Sequence, residues 1–139
     1  MGRIRQTVSF WCFNRPDLPF LKLCHEMKRI GYEGFDLLPE DHWPVARING
    51  LPVIAQGGHE SIAQGLNRVE HHARIEAELR ASIDKAAANG IPILVCFSGN
   101  RAGLDDATGL ANTVAGLKRV AGYAEEKGVT LTLETLNSK

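Results

Sequence analysis

Apolar residues in this chain recur in two alternating rhythms, one of strand type and one of helix type. Thr7-Val-Ser-Phe-Trp-Cys-Phe13 is an apolar and aromatic run of strand length. Asp17 then offers a helix N-cap, Pro19 falls in the first turn, and Phe20, Cys24, Met27 and Ile30 recur at helical spacing until Gly31 supplies a stop. Gly34-Phe-Asp-Leu-Leu38 reads as a second strand, ended by Pro39. Glu40 to Gly50 is a polar connection with room for about two helical turns. Leu51-Pro-Val-Ile-Ala55 is a third, shorter strand, and Gln56-Gly-Gly-His59 is a loop.

The second part of the chain is more strongly patterned. Between Arg68 and Asn89, Ile75, Leu79, Ile83 and Ala87 repeat every fourth residue on one helix face, and Asn89-Gly90 ends the pattern. Ile91-Pro-Ile-Leu-Val-Cys-Phe97 is nearly all apolar, as a parallel strand covered on both faces requires. A helix from Asp106 to Lys127 places Leu110, Val114, Leu117, Ala121 and Ala124 on one face, and Gly128 closes it. Val129, Leu131 and Leu133 then alternate with Thr130 and Thr132, and Glu134 closes this last strand.

About five strands alternating with four helices specify an α/β protein with a parallel sheet and right-handed crossovers. Two architectures satisfy that order. A doubly wound open sheet suits 139 residues. A (β/α)8 barrel takes on the order of 250 residues, so this chain would be its amino-terminal half. A doubly wound nucleotide binder carries a glycine fingerprint after its first strand. Here that strand runs into Asn14-Arg-Pro-Asp17, and Gln56-Gly-Gly-His59 contains neither GxGxxG nor a P-loop lysine. Dinucleotide and nucleoside triphosphate binding are therefore disfavoured.

Composition narrows the class further. The length is that of one domain with a real core. Sixteen Lys and Arg balance 16 Asp and Glu, so nothing marks a nucleic-acid partner, whose binders carry a basic face. No apolar run reaches the roughly 20 residues of a membrane helix. Met1-Gly-Arg-Ile-Arg-Gln6 is too short for a secretory signal before the patterned segment begins. Cys12, Cys24 and Cys96 are odd in number and lack CxxC spacing, which fits free thiols in a reducing cytoplasm. Each is expected to be a small buried hydrophobe, Cys12 and Cys96 in strands and Cys24 on a helix face.

Candidate chemistry gathers behind the strands. In parallel α/β architectures, side chains at the carboxyl ends of strands line the ligand site. Glu134 is therefore a candidate metal ligand or proton-transfer base, with a solvated strand-end glutamate as the plain alternative. His59, just after the third strand, is a candidate donor or acceptor for a substrate oxygen. Ser98 and Asn100 past the fourth strand, and Asn137 past the fifth, are candidates to bind a carboxylate or hydroxyl. His71 and His72 open the long helix, where adjacent residues point about 100° apart and cannot share one ion. They read as solvent or capping groups, and Trp11 and Phe13 read as packing residues.

Several stretches together resemble the hydroxypyruvate isomerase group of the xylose-isomerase-like (β/α)8 barrels. They are Gly57-Gly-His-Glu-Ser-Ile-Ala-Gln-Gly-Leu-Asn-Arg68, Pro92-Ile-Leu-Val-Cys-Phe-Ser-Gly-Asn-Arg101 and Gly128-Val-Thr-Leu-Thr-Leu-Glu-Thr-Leu-Asn-Ser-Lys139, with Ser9–Phe13 and Gly31–Asp36 similar to the family's first two strands. The likeness runs over residues 1–139 as a partial barrel domain, the amino-terminal half of a TIM barrel. It implies a divalent cation, Mg²⁺ or Mn²⁺, held by acidic and histidine ligands from the later strands. Glu134 matches the first of them. The aspartate, histidine and second glutamate of strands six to eight have no counterpart here. One carboxylate cannot supply the oxygen-rich shell such cations prefer. The expectation is that these 139 residues alone neither hold the cation tightly nor turn over substrate.

The activity implied is interconversion of hydroxypyruvate and tartronate semialdehyde, with Glu134 one of two glutamates moving the proton and a small keto acid or sugar as the partner molecule. A sugar epimerase, an inosose dehydratase or an endonuclease of the same superfamily are alternatives. So is a non-catalytic half-barrel whose open first and fifth strand edges pair with another copy, giving a homo-oligomer. Asn137-Ser-Lys139 reads as the start of a loop, so the sequence is expected to continue.

Overall fold

The computed structural model describes residues 4–134, which form two compact units divided between Gln56 and Gly57. In the first, β1 (Thr7–Ser9), β2 (Gly34–Asp36) and β3 (Val53–Gly57, its last residue across the division) pair in parallel. Thr7 lies opposite Gly34, Ser9 opposite Asp36, and Asp36 opposite Ala55. The Thr7 hydroxyl donates to the Asp36 carboxylate.

β1 stops at Ser9, short of the expected Phe13, because β2 ends at Asp36 and Leu37 turns away with φ 53°. With no ladder partner beyond Ser9, Phe10–Cys12 wind into a 3-10 turn that sends the Phe13 and Asn14 N–H groups to the Phe10 carbonyl at 2.9 and 3.0 Å. Phe10 is buried, but Trp11 is 68% exposed and Phe13 and Cys12 also face solvent. The packing roles expected for Trp11, Phe13 and Cys12 are thus corrected.

α1 (Phe20–Ile30) starts from Pro19, since Asp17 pairs with Arg15 at 3.2 Å instead of capping. It buries Leu23, Cys24 and Met27 and leaves Ile30 exposed. Phe20 packs on Phe35 of β2 and on His42, with ring centroids 5.4 and 4.3 Å apart. α2 (Trp43–Ile48) is anchored by the Trp43 indole N–H donating to the Leu38 carbonyl at 2.8 Å. The Leu51 N–H closes that helix onto Ala46 at 3.0 Å, and β3 therefore begins at Val53 rather than Leu51.

In the second unit, β4 (Ile93–Phe97) and β5 (Thr130–Glu134) pair in parallel, Ile93 opposite Thr130 through Phe97 opposite Glu134. α3 (His72–Asn89) follows a 3-10 turn at Val69–His71 and buries Ile75, Leu79, Ile83 and Ala86. The fourth contact is Ala86 rather than Ala87, because 11 residues bring a 3.6-residue helix back to the same face and 12 overshoot. α4 (Asp106–Glu126) is capped by the Asp105 carboxylate, which accepts the Thr108 N–H at 2.9 Å.

The buried face of α4 differs from the expected one. Thr113, Gly116, Val120 and Ala124 are inside, whereas Leu110 is 67% and Val114 42% exposed. Gly116 explains the choice. A Cβ there would lie 2.7 Å from Leu66 Cδ2 and 3.0 Å from His72 Nε2, so only the small-residue face lets the helix approach that closely. Among the described residues, no helix is long and apolar enough to cross a membrane.

Candidate active site

Side-chain alternation along β4 fixes which face carries the candidate chemistry. Leu94 and Cys96 are fully buried, and a Cβ on Gly58 would meet both Leu79 of α3 and the Cys96 sulfur, so this face looks toward the helix. Phe97 points the opposite way. Glu134, its direct register partner on β5, shares that face, the one turned away from α3. Its side chain is exposed, and among the described residues no strand pairs with the outer edge of β5. Burial pushes the Cys96 thiol up to about 12, which leaves it un-ionised and chemically inert at neutral pH.

His59 is the buried polar group of this rim, 8% exposed. Its Nε2 accepts the Phe97 backbone N–H at 2.9 Å, so that nitrogen carries a lone pair. The ring proton therefore sits on Nδ1, which donates to the Glu60 carbonyl at 3.0 Å. The ring also stands edge-on to Phe97, with centroids 5.7 Å apart. Both nitrogens are committed to the backbone. Neither nitrogen is left over for the substrate oxygen considered from the sequence unless one of these bonds opens.

Residues 60–67 and 97–100 are laced together past the strand ends. Leu66 N–H donates to Phe97 O at 3.1 Å, Asn67 N–H to Ser98 O at 2.7 Å, and Asn100 N–H to Ala63 O at 2.9 Å. The buried Asn67 amide adds a bond from Nδ2 to Asn100 O at 2.9 Å, while its Oδ1 has no partner among the described residues. Ser98 is half-buried and Asn100 exposed, both within this braced rim. Asn137 lies outside the described residues.

Arg74 holds the outer loop from α3: it pairs with Glu78 at 2.8 Å and donates to the Gln64 carbonyl at 2.7 Å, while the Glu60 N–H reaches Glu78 at 3.0 Å. His72, expected to be solvated or capping, is buried with Nε2 2.9 Å from the Leu66 carbonyl. The Arg74–Glu78 pair was visible as an i,i+4 spacing, but its task of bracing the rim was not. Asn67 gave no periodic signal, whereas His72 stands three residues before Ile75 on the same helix face, a spacing that could have marked it as buried.

The residues present do not by themselves make a metal centre. Among the described residues no group of three His, Cys, Asp or Glu side chains lies close enough to hold an ion, and Glu134 is a single donor. What the arrangement offers is an exposed carboxylate on β5 beside the braced end of β4, and a carboxylate can take or give a proton.

The model of the xylose isomerase-like TIM barrel family matches residues 24–139. Comparison with curated protein sequences finds no match. An AP endonuclease of family 2 from Brucella melitensis superposes with TM-score 0.68 at 19% identity, over 96% of this chain and 56% of that one. D-allulose 3-epimerase from Methylomonas sp. gives TM-score 0.59 at 23% identity, over 85% and 46%. A xylose isomerase-like TIM barrel protein from Mycobacterium smegmatis, solved in complex with magnesium, gives TM-score 0.61 at 15% identity, over 95% and 55%. The chain thus spans about half the length of these structures, and its parallel strands and helices are consistent with half of such a barrel.

Proposed function

The chain belongs to the xylose isomerase-like TIM barrel family, and from that premise we propose that it supplies part of a sugar or keto-acid isomerase or epimerase in which Glu134 moves the reacting proton. The observation that carries the reading is the place of Glu134: last described residue of β5, on the face turned away from α3, beside Phe97. A C–H next to a carbonyl is a weak acid, and a positioned carboxylate can take its proton and return it. Returning it to the neighbouring carbon isomerises the substrate; returning it to the opposite face of the same carbon epimerises it.

Two substrate classes fit. Hydroxypyruvate and tartronate semialdehyde follow from the sequence resemblance, and a ketose follows from the likeness to a D-allulose 3-epimerase. Ser98 and Asn100 are proposed to meet a substrate hydroxyl or carboxylate from the braced rim. A divalent cation would need donors besides Glu134, so no step is assigned to it. The balance of 16 basic and 16 acidic residues weighs against the nucleic-acid substrate that an endonuclease requires. The three unpaired cysteines favour a reducing, cytoplasmic setting.

The test is hydrogen exchange into substrate. The full-length gene product in D2O is given hydroxypyruvate, tartronate semialdehyde or D-allulose in turn, and the C–H signals beside the carbonyl are followed by NMR. Enzyme-dependent loss of signal is expected with one class; its absence with all of them overturns the reading. The same proposal includes self-association through the unpaired β5 edge. Sedimentation of the 139-residue chain is expected to give a dimer or larger species, and a monodisperse monomer removes that part.

A further inference from the structure

We infer that His59 is a positioning residue, a neutral-imidazole latch that pins the carboxyl end of β4 beside Glu134. Its catalytic consequence rests on the isomerase or epimerase reading; the latch itself does not. The argument starts from valence. A backbone N–H can only donate, so the 2.9 Å bond from Phe97 requires a lone pair on His59 Nε2. The remaining proton is then on Nδ1, aimed at the Glu60 carbonyl 3.0 Å away. The ring is 8% exposed and packed edge-on against Phe97, so water does not readily replace either bond.

Phe97 is the lateral neighbour of Glu134 across the β4–β5 ladder. Anything that frees the Phe97 N–H loosens the strand end against which Glu134 is registered. Protonating His59 does this: a second N–H would then face the Phe97 N–H, and two donors cannot bond. The latch is thus closed while the ring is neutral and opens once the ring carries a proton on both nitrogens. The charged groups around it are Glu60, whose N–H is held by Glu78, and Arg74, which pairs with Glu78 and also reaches the Glu60 carbonyl at 3.4 Å. Across the ladder stands Glu134.

The experiment uses the isotope-labelled chain and NMR. A long-range ¹H–¹⁵N spectrum of the imidazole is expected to report the Nδ1–H tautomer. The Phe97 amide and the Glu134 side-chain carboxyl are each expected to shift with the midpoint of the His59 ring. In His59→Gln, which keeps an acceptor without a titrating ring, both inflections vanish while Phe97 amide exchange stays slow. In His59→Ala that exchange quickens at least about tenfold, consistent with loss of one hydrogen bond. If the alanine variant does not fold, the wild-type and glutamine spectra decide alone. An Nε2–H tautomer, or a Phe97 amide indifferent to the ring, overturns the latch; a Glu134 signal without the shared inflection overturns its positioning role. Failure of the substrate reading would leave these spectra unchanged.

Discussion

Glu134→Gln is expected to slow carbonyl-adjacent hydrogen exchange in the full-length gene product by about 100-fold to 10,000-fold, the usual share of a positioned acid or base. The substitution keeps size and shape and removes only the ability to carry a proton. Glu134 is exposed and contributes nothing to the buried core. Stability should therefore stay within about 0.5 kcal/mol, as for surface changes away from special features. Substrate affinity should change far less than turnover, because an amide can still hydrogen-bond a hydroxyl. Stopped NMR exchange and a thermal melt on the same preparation separate the two effects. A variant that exchanges within about threefold of wild type removes Glu134 from the proton-transfer role.

The largest expected loss of stability comes from the rim instead. Gly65 and Gly99 touch backbone to backbone. A Cβ on Gly65 would overlap the Gly99 nitrogen, the Ser98 carbonyl carbon and, at 2.5 Å, the Phe97 oxygen. A Cβ on Gly99 would lie 2.6 Å from both Asn67 Oδ1 and the Gly65 nitrogen, at φ 98° where side chains are strained. Backbone atoms cannot swing aside as a flexible side chain can. Relief would separate the two segments and break the bonds from Leu66, Asn67 and Asn100 that close them. Gly65→Ala is expected to cost about 3 kcal/mol or more, at the upper end of overpacking changes. Gly122→Ala on α4 is the control: nothing lies within 4 Å of its Cβ position, and removing an exposed helical glycine should gain roughly 0.5–1 kcal/mol. Urea denaturation of both variants checks the contrast. Equal midpoints would mean that the two segments are not in the close contact described.

How far the sequence carries the structure differs from element to element. The long helix was legible because Ile75, Leu79 and Ile83 are large, apolar and regularly spaced, and all three are fully buried. The fifth strand was legible from strict alternation, and the structure describes it from Thr130 to Glu134. α4 misled because it offers two usable faces. Leu110 and Val114 are the more hydrophobic, but Gly116 gives the closer approach to Leu66 and His72, and the packing surface chose it. The first strand misled in the opposite way. Its residues favour extended structure, yet a strand persists only as far as its neighbour supplies hydrogen bonds, and β2 stops at Asp36.

The site divides along the same line. That Glu134 belongs to the fifth strand is a property of local alternation, so its membership of β5 and the parallel βα order around it were legible in the sequence alone. Which face it shares, and with whom, depends on the register with Phe97. That is a long-range choice made when β4 and β5 pair. The role of His59 was out of reach for the same reason. A histidine in a loop has two nitrogens to spend, and only the folded backbone decides whether substrate or the Phe97 amide receives them.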